Sequence, residues 1–249
     1  MGAVSLGALP LLLATFGTKV VYASFLALSV LSLLLAGWLP RHAAVSREST
    51  LIAHPIGSRG MLLLLLFVLL FAGHGALWVY QQRIGRAIGV TPQAIGSILG
   101  VGVLFGAMGA GLAGAIGRRL GHRMAQLISF AGAIAATLIM VYGSDLGAYA
   151  ATACLLMLVW FFGLTYLLAM AAEMDPGGRL PGLANAAIFV GQGLGPAIGA
   201  ATVRAGNFRN VGWAAAVVYA IALLVAIVVT ARRERGNHVT TDARGLRST

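Results

Sequence analysis

The stretch IFVGQGLGPAIGA, residues 188–200, lies inside a long apolar run and carries Gly191, Gly193, Gly195 and Gly199 around Pro196. In water it would make a poor helix, since an interior glycine costs about 1 kcal/mol relative to alanine and an interior proline about 3 kcal/mol. Something other than intrinsic propensity must hold it helical. Gly191, Gly195 and Gly199 are spaced four apart and so share one helical face. They form a smooth stripe that lets a second helix backbone come close, as small residues do between helices in lipid. Pro196 has no N–H, so the Gln192 carbonyl loses its intrahelical donor. That position either bends the helix or leaves an acceptor facing a cavity.

The surrounding composition supplies the solvent this helix needs. Of 249 residues, 59% are hydrophobic and 9% charged, and the mean hydropathy is +0.92, values that belong to a membrane protein. The net charge of +11 does not point to nucleic acid, because the basic residues fall in short clusters between apolar stretches. All of these except Lys19 are arginine, which suggests a GC-rich bacterial genome. The single cysteine, Cys154, excludes an internal disulfide and any cysteine-based metal cage and reads as a small packing residue.

A bilayer core about 30 Å thick needs roughly 20 apolar residues in helix. Eight segments qualify: 1–17, 20–39, 61–83, 92–116, 124–143, 147–172, 183–204 and 211–231. The chain is therefore expected to be an all-α, polytopic membrane bundle. Segment 1–17 is short and lacks a positive leader, so a signal peptide is its weaker reading. Placing the 41–60 connection in the cytoplasm puts twelve of the seventeen basic residues on that side, which predicts both termini inside a bacterial inner membrane. The 232–249 tail reads as polar and disordered. The connection 41–60 is the longest and marks a boundary between two helices in 1–40 and six in 61–231.

The opening, LGALPLLLATFG then VVYASFLALSVLSLLLAGWLPR, resembles the close, LGPAIGAATVRAG then VGWAAAVVYAIALLVAIVVTARR. Each is a glycine and proline helix, a short loop, and an aliphatic helix ending in arginine. As a repeat, this makes the first two spans the counterparts of the last two in a six-helix unit. With these features the chain resembles the major facilitator superfamily (MFS), matching the last eight of its twelve helices. GAIGRRLGHR, residues 114–123, is similar to the family's glycine and arginine loop, although Arg118 stands where an acidic residue is usual. GQGLGPAIGA is similar to a glycine and proline motif of proton-coupled drug exporters in that family, displaced to the second bundle. The resemblance implies secondary transport by rocking of two bundles, with drug or metabolite efflux favoured. It also implies four further helices, from the same or another chain.

Candidate chemistry sits on three segments. His74 lies near the middle of the 61–83 span, where a titratable group is costly unless it faces the bundle interior or water. At helical spacing Phe71, His74, Trp78 and Gln81 share a face suited to an amphipathic solute. His74 is either bonded to a neighbouring helix or placed to carry a coupling proton. Asn185, Phe189 and Gln192 form a second stripe leading to Pro196, read either as solute ligands or as interhelical hydrogen-bonding groups. Trp160, Phe161, Thr165 and Tyr166 point several ways around the 147–172 span, so at most two are expected to face a cavity. Glu173 and Asp175 before PGG make either a solvated turn or a gate, pairing with Arg179 or with Arg118, Arg119 and Arg123. Arg83, Arg86, Arg204 and Arg209 are expected to snorkel, with Trp38 and Trp213 at the interfaces.

A second close-packed glycine face is expected at Gly102 and Gly106, followed by Gly109, Gly111 and Gly114; no strand or following lysine supports a phosphate loop there. The chain contains no HExxH, no GxSxG, no paired intramembrane aspartates and no plausible metal set, so neither an enzyme nor a cofactor is expected. The expected partners are the lipid bilayer, a small solute and protons. The competing expectation is a non-transporting fragment or helical interaction partner.

Overall fold

The computed structural model describes residues 18–37, 56–204 and 207–245. The expected first span and most of the 41–60 connection lie outside these residues, as does Trp38. The described part is helical: α1 (Thr18–Gly37), α2 (Ser58–Ala87), α3 (Pro92–Ile116), a 3-10 turn at Gly117–Arg119, α4 (Gly121–Tyr142), α5 (Leu146–Met174), α6 (Arg179–Thr202) and α7 (Arg209–Gly245). Among the described residues, six helices, α2 to α7, are long and apolar enough to cross a bilayer. α1 coincides with the second expected span. α7 runs on to Gly245, into the tail expected to be disordered. Ala231, Arg232, Arg233, Glu234 and Arg235 are favourable or neutral in a helix, so the last span has no local stop signal at its apolar end.

The helix ends follow local chemistry. Thr91 caps α3 by accepting from the Ala94 amide at 3.3 Å, with Pro92 at the first helical position. Asp145 caps α5 in the same way, at 2.8 Å from the Ala148 amide. Between α5 and α6, Gly178 takes a left-handed φ of 81° that L residues disfavour. The Asp175 carboxylate spans that turn, accepting from the Gly177 amide at 3.1 Å and the Leu180 amide at 2.6 Å.

Packing does not follow chain order. α2 packs on α6 and α7, α5 packs on α3 and α4, α4 meets α7, and α2 meets α5. Exchanging α2–α4 with α5–α7 leaves this pattern unchanged. Each unit has three spans, so the second enters the bilayer from the opposite side to the first. This contact pattern is that of an inverted repeat.

Glycines set the two equivalent close approaches. A β-carbon at Gly191 would lie 2.5 Å from the Val68 carbonyl oxygen, at Gly195 2.7 Å from the Gly75 Cα, and at Gly199 2.9 Å from the Ala76 carbonyl oxygen. The stripe on α6 therefore presses on the backbone of α2. Gly75 answers it, its own β position lying 3.5 Å from Pro196 Cδ and 3.8 Å from the Gln192 carbonyl. On α3, Gly106 packs under the Phe161 ring and Gly109 against the Leu158 carbonyl of α5. Gly111 and Gly114 were expected on that packed face, but added β-carbons there would meet nothing within 4 Å. The packed face continues from Gly109 to Ala113, buried against Phe162 and Tyr166 of α5, and Gly111 and Gly114 lie off it around the helix.

Candidate functional site

The expected stripe on α2 divides. Phe71 is buried, while His74 and Trp78 are half-buried. Gln81 departs from them: at 0% exposure its amide reaches the Met140 sulfur on α4 at 3.9 Å. It belongs to the interior between α2 and α4, so a solute could meet it only by unpacking the helices. The reason is the mismatch between a helix of 3.6 residues per turn and neighbours that cross it at an angle, which moves a stripe from cavity to core along its length.

His74 lies between two indoles. Its ring centroid is 4.5 Å from Trp160 at an interplanar angle of 27°, and 5.5 Å from Trp78 at 28°. Trp160 is fixed by three further contacts: Nε1 donates to the Leu70 carbonyl at 3.4 Å, and Phe71 and Phe161 meet it edge-on at 4.9 and 4.8 Å. His74 Nδ1 is buried with no hydrogen-bond partner among the described residues. His74 and Trp160 stand near the middles of α2 and α5, the two helices that exchange under the internal symmetry. Trp160 was noticed in the sequence only as one of several scattered aromatics; a central position on a symmetry-related helix is the signal that singles it out.

α6 is the least apolar and least buried of the six spans. Its glycine face is covered by α2, whereas Asn185, Phe189 and Gln192 are exposed, Phe189 to 71%. Gln192 is roughly 15 to 20 Å from either helix end at 1.5 Å per residue. A primary amide at that depth would be unsatisfied against hydrocarbon. This face therefore calls for water, solute or further polar protein, and it does not contact His74 directly within the described bundle.

At the arginine-rich end, Arg118, His122 and Glu173 border a single cavity of about 360 Å³, together with Thr165 and Tyr166. Glu173 meets His122 Nε2 at 3.1 Å. The Tyr166 hydroxyl donates to the Gly117 carbonyl at 2.7 Å, and its ring meets His122 edge-on at 6.0 Å. His122 had not been selected from sequence, although it sits one turn beyond Arg118 in GRRLGHR. Arg119, Arg123 and Arg179 are exposed at the same end. Asp175 differs from the gate expectation, its carboxylate being occupied by the two turn amides. At the opposite end Arg83 lies over Tyr80 at 5.5 Å and Arg209 over Tyr142 at 5.0 Å, with Trp213 Nε1 donating to the Tyr142 hydroxyl at 2.9 Å. These cations fold onto aromatic rings near the membrane surface.

Among the described residues, no group of three or more His, Cys, Asp or Glu side chains is placed to hold a metal ion. Comparison with protein-family models, with curated proteins and with solved structures finds no match. Length, apolarity and helix packing define a multi-pass α-helical membrane protein.

Proposed function

We propose that this chain is a secondary transporter that moves a small amphipathic solute by alternating access, coupled to protons, with efflux as the favoured direction. The observation that carries the reading is the coincidence of symmetry and chemistry. An inverted repeat of three-helix units, the organisation described within each half of MFS transporters, crosses near mid-membrane at a histidine stacked between tryptophans. His74 supplies an imidazole that can take up and release a proton, Trp78 and Trp160 supply flat apolar walls, and the Asn185, Phe189 and Gln192 face of α6 supplies a polar surface for the path. The arginine-rich end faces the cytoplasm of a bacterial inner membrane by the distribution of positive charge. There His122 and Glu173 tie the start of α4 to the end of α5, and Arg118, Arg119, Arg123 and Arg179 are the cations of the gate.

The test uses the full chain reconstituted in liposomes with an imposed pH gradient and ethidium as the amphipathic probe. Gradient-dependent ethidium flux is expected in the unsubstituted protein and is abolished by His74→Ala, with helix content and thermal stability retained. Unchanged flux and pH dependence in that variant would remove His74 from the mechanism. The exposed face of α6 favours one second reading, a helical partner that docks there. Photocrosslinking from a benzoylphenylalanine placed at Gln192 would then capture another helix in native membranes, and no ethidium flux would be seen.

A further inference from the structure

The cavity at the arginine-rich end has a composition that the gate does not use up. Its walls come from the end of α3, the 3-10 turn, the start of α4 and the end of α5. Arg118 lines it as an exposed guanidinium with no ion-pair partner among the described residues. His122 lines it with Nε2 on Glu173 and with Nδ1 buried and unpartnered. The start of α4 has no side-chain cap and no acidic residue in its first turn, so no side chain serves the amide donors at that helix end. A guanidinium and a helix N-terminus therefore border one cavity, whose one carboxylate, Glu173, is engaged by His122.

Gly114 is a separate observation. Its β position would meet nothing within 4 Å, and its φ is not in the positive region. Neither packing nor backbone conformation requires glycine there, although an interior helical glycine costs about 1 kcal/mol relative to alanine. The bare backbone of Gly114 lines the cavity, and a side chain would enter space that is now open. Arg118 also falls at the end of the membrane-spanning segment Pro92–Arg119, the depth of lipid headgroups.

We propose that this cavity is a binding site for a phosphodiester monoanion, held by Arg118 and the first-turn amides of α4, with His122 fixed beside it by Glu173. Guanidinium forks and helix N-termini are strong partners for phosphate oxygens, and the Glu173 carboxylate disfavours a dianion. The phosphodiester comes either from a membrane lipid headgroup or from a soluble ester. The site does not depend on transport, and its occupation is measurable by binding alone.

The experiment titrates the purified full chain in detergent with phosphatidylglycerol and follows bound lipid by native mass spectrometry. A phosphate-free diglucosyl diacylglycerol serves as the comparison lipid, and soluble glycerophosphoglycerol as competitor. One phosphatidylglycerol is expected to bind in preference to the glycolipid. Arg118→Gln and Gly114→Leu should each weaken it about tenfold, the equivalent of one charge-assisted contact, while Arg86→Gln at the opposite end leaves it unchanged. Both test positions are surface-accessible, and Gly114→Leu fills the cavity without removing charge, so loss of binding at an unchanged melting temperature reports the site. Displacement by glycerophosphoglycerol assigns the soluble ester as a sufficient ligand; retention of the lipid against it assigns the membrane headgroup. Equal binding of both lipids, or unchanged phosphatidylglycerol binding in both Arg118→Gln and Gly114→Leu, overturns the proposal.

Discussion

Gly195→Ala isolates the contact on which the bundle depends. The new methyl group would lie 2.7 Å from the Gly75 Cα and 2.8 Å from both the Gly75 carbonyl carbon and the Ala76 nitrogen. All three are backbone atoms, so no side-chain rotamer can relieve the overlap. Carbon atoms rest at about 3.5–4.0 Å, so α2 and α6 must separate by roughly 1 Å, a gap that forfeits a quarter to a half of the dispersion well of each pair along the stripe. Overpacking of this kind costs about 1–3 kcal/mol. Replacing an interior glycine returns up to about 1 kcal/mol of helix propensity, which hides part of the cost. Gly193→Ala on the same helix removes that ambiguity, because its β position meets nothing within 4 Å. The propensity gain is common to both variants, so their difference, about 1–3 kcal/mol with Gly195→Ala the weaker, reports the close approach alone. Reversible unfolding in mixed micelles, titrated with sodium dodecyl sulfate and followed by circular dichroism, measures it. Equal midpoints for the two variants would refute the packing argument.

Three further outcomes are expected. Gly109→Ala drives a methyl group into the Leu158 carbonyl of α5 and should destabilise by about 1–3 kcal/mol in the same unfolding assay, as the symmetry between the α3–α5 and α6–α2 contacts requires. Ser129→Ala removes the buried bond from Oγ to the Val159 carbonyl at 2.9 Å; a loss of about 0.6 kcal/mol, and no more than about 1.7 kcal/mol, is expected for a membrane interhelical bond. Tyr166→Phe deletes the donor to the Gly117 carbonyl and should cost about 1 kcal/mol, with faster amide hydrogen exchange confined to 114–122.

Much of the helical layout could be read from the chain alone. The expected spans 92–116, 124–143 and 147–172 meet helices Pro92–Ile116, Gly121–Tyr142 and Leu146–Met174, because hydrocarbon permits only stretches whose backbone groups pair internally. The glycine stripe at 191, 195 and 199 was likewise visible as spacing. Its partner was not: lipid-facing and helix-facing surfaces are both apolar, so hydropathy carries no signal for which helix covers which. The pairing with α2 needed the matching small residue, Gly75, seen only in contact.

The candidate site divides along the same line. Residue type and depth singled out His74, and Trp78 followed from its place one turn away. Trp160 is 86 residues further along the chain than His74, and Gln81, seven residues beyond it, turned out to face Met140. Sequence fixes azimuth around a helix, but only the crossing of helices decides which azimuth is cavity and which is core. His122 was passed over for the same reason, since its partner Glu173 comes from another helix end. By itself the chain determined its solvent, its helices and their approximate ends, because burial of backbone in lipid is a local and nearly unconditional demand. Helix neighbours, the internal symmetry, the indole sandwich around His74 and the cavity beside Arg118 were decided by tertiary packing, where shape complementarity between distant segments selects among faces that are chemically alike.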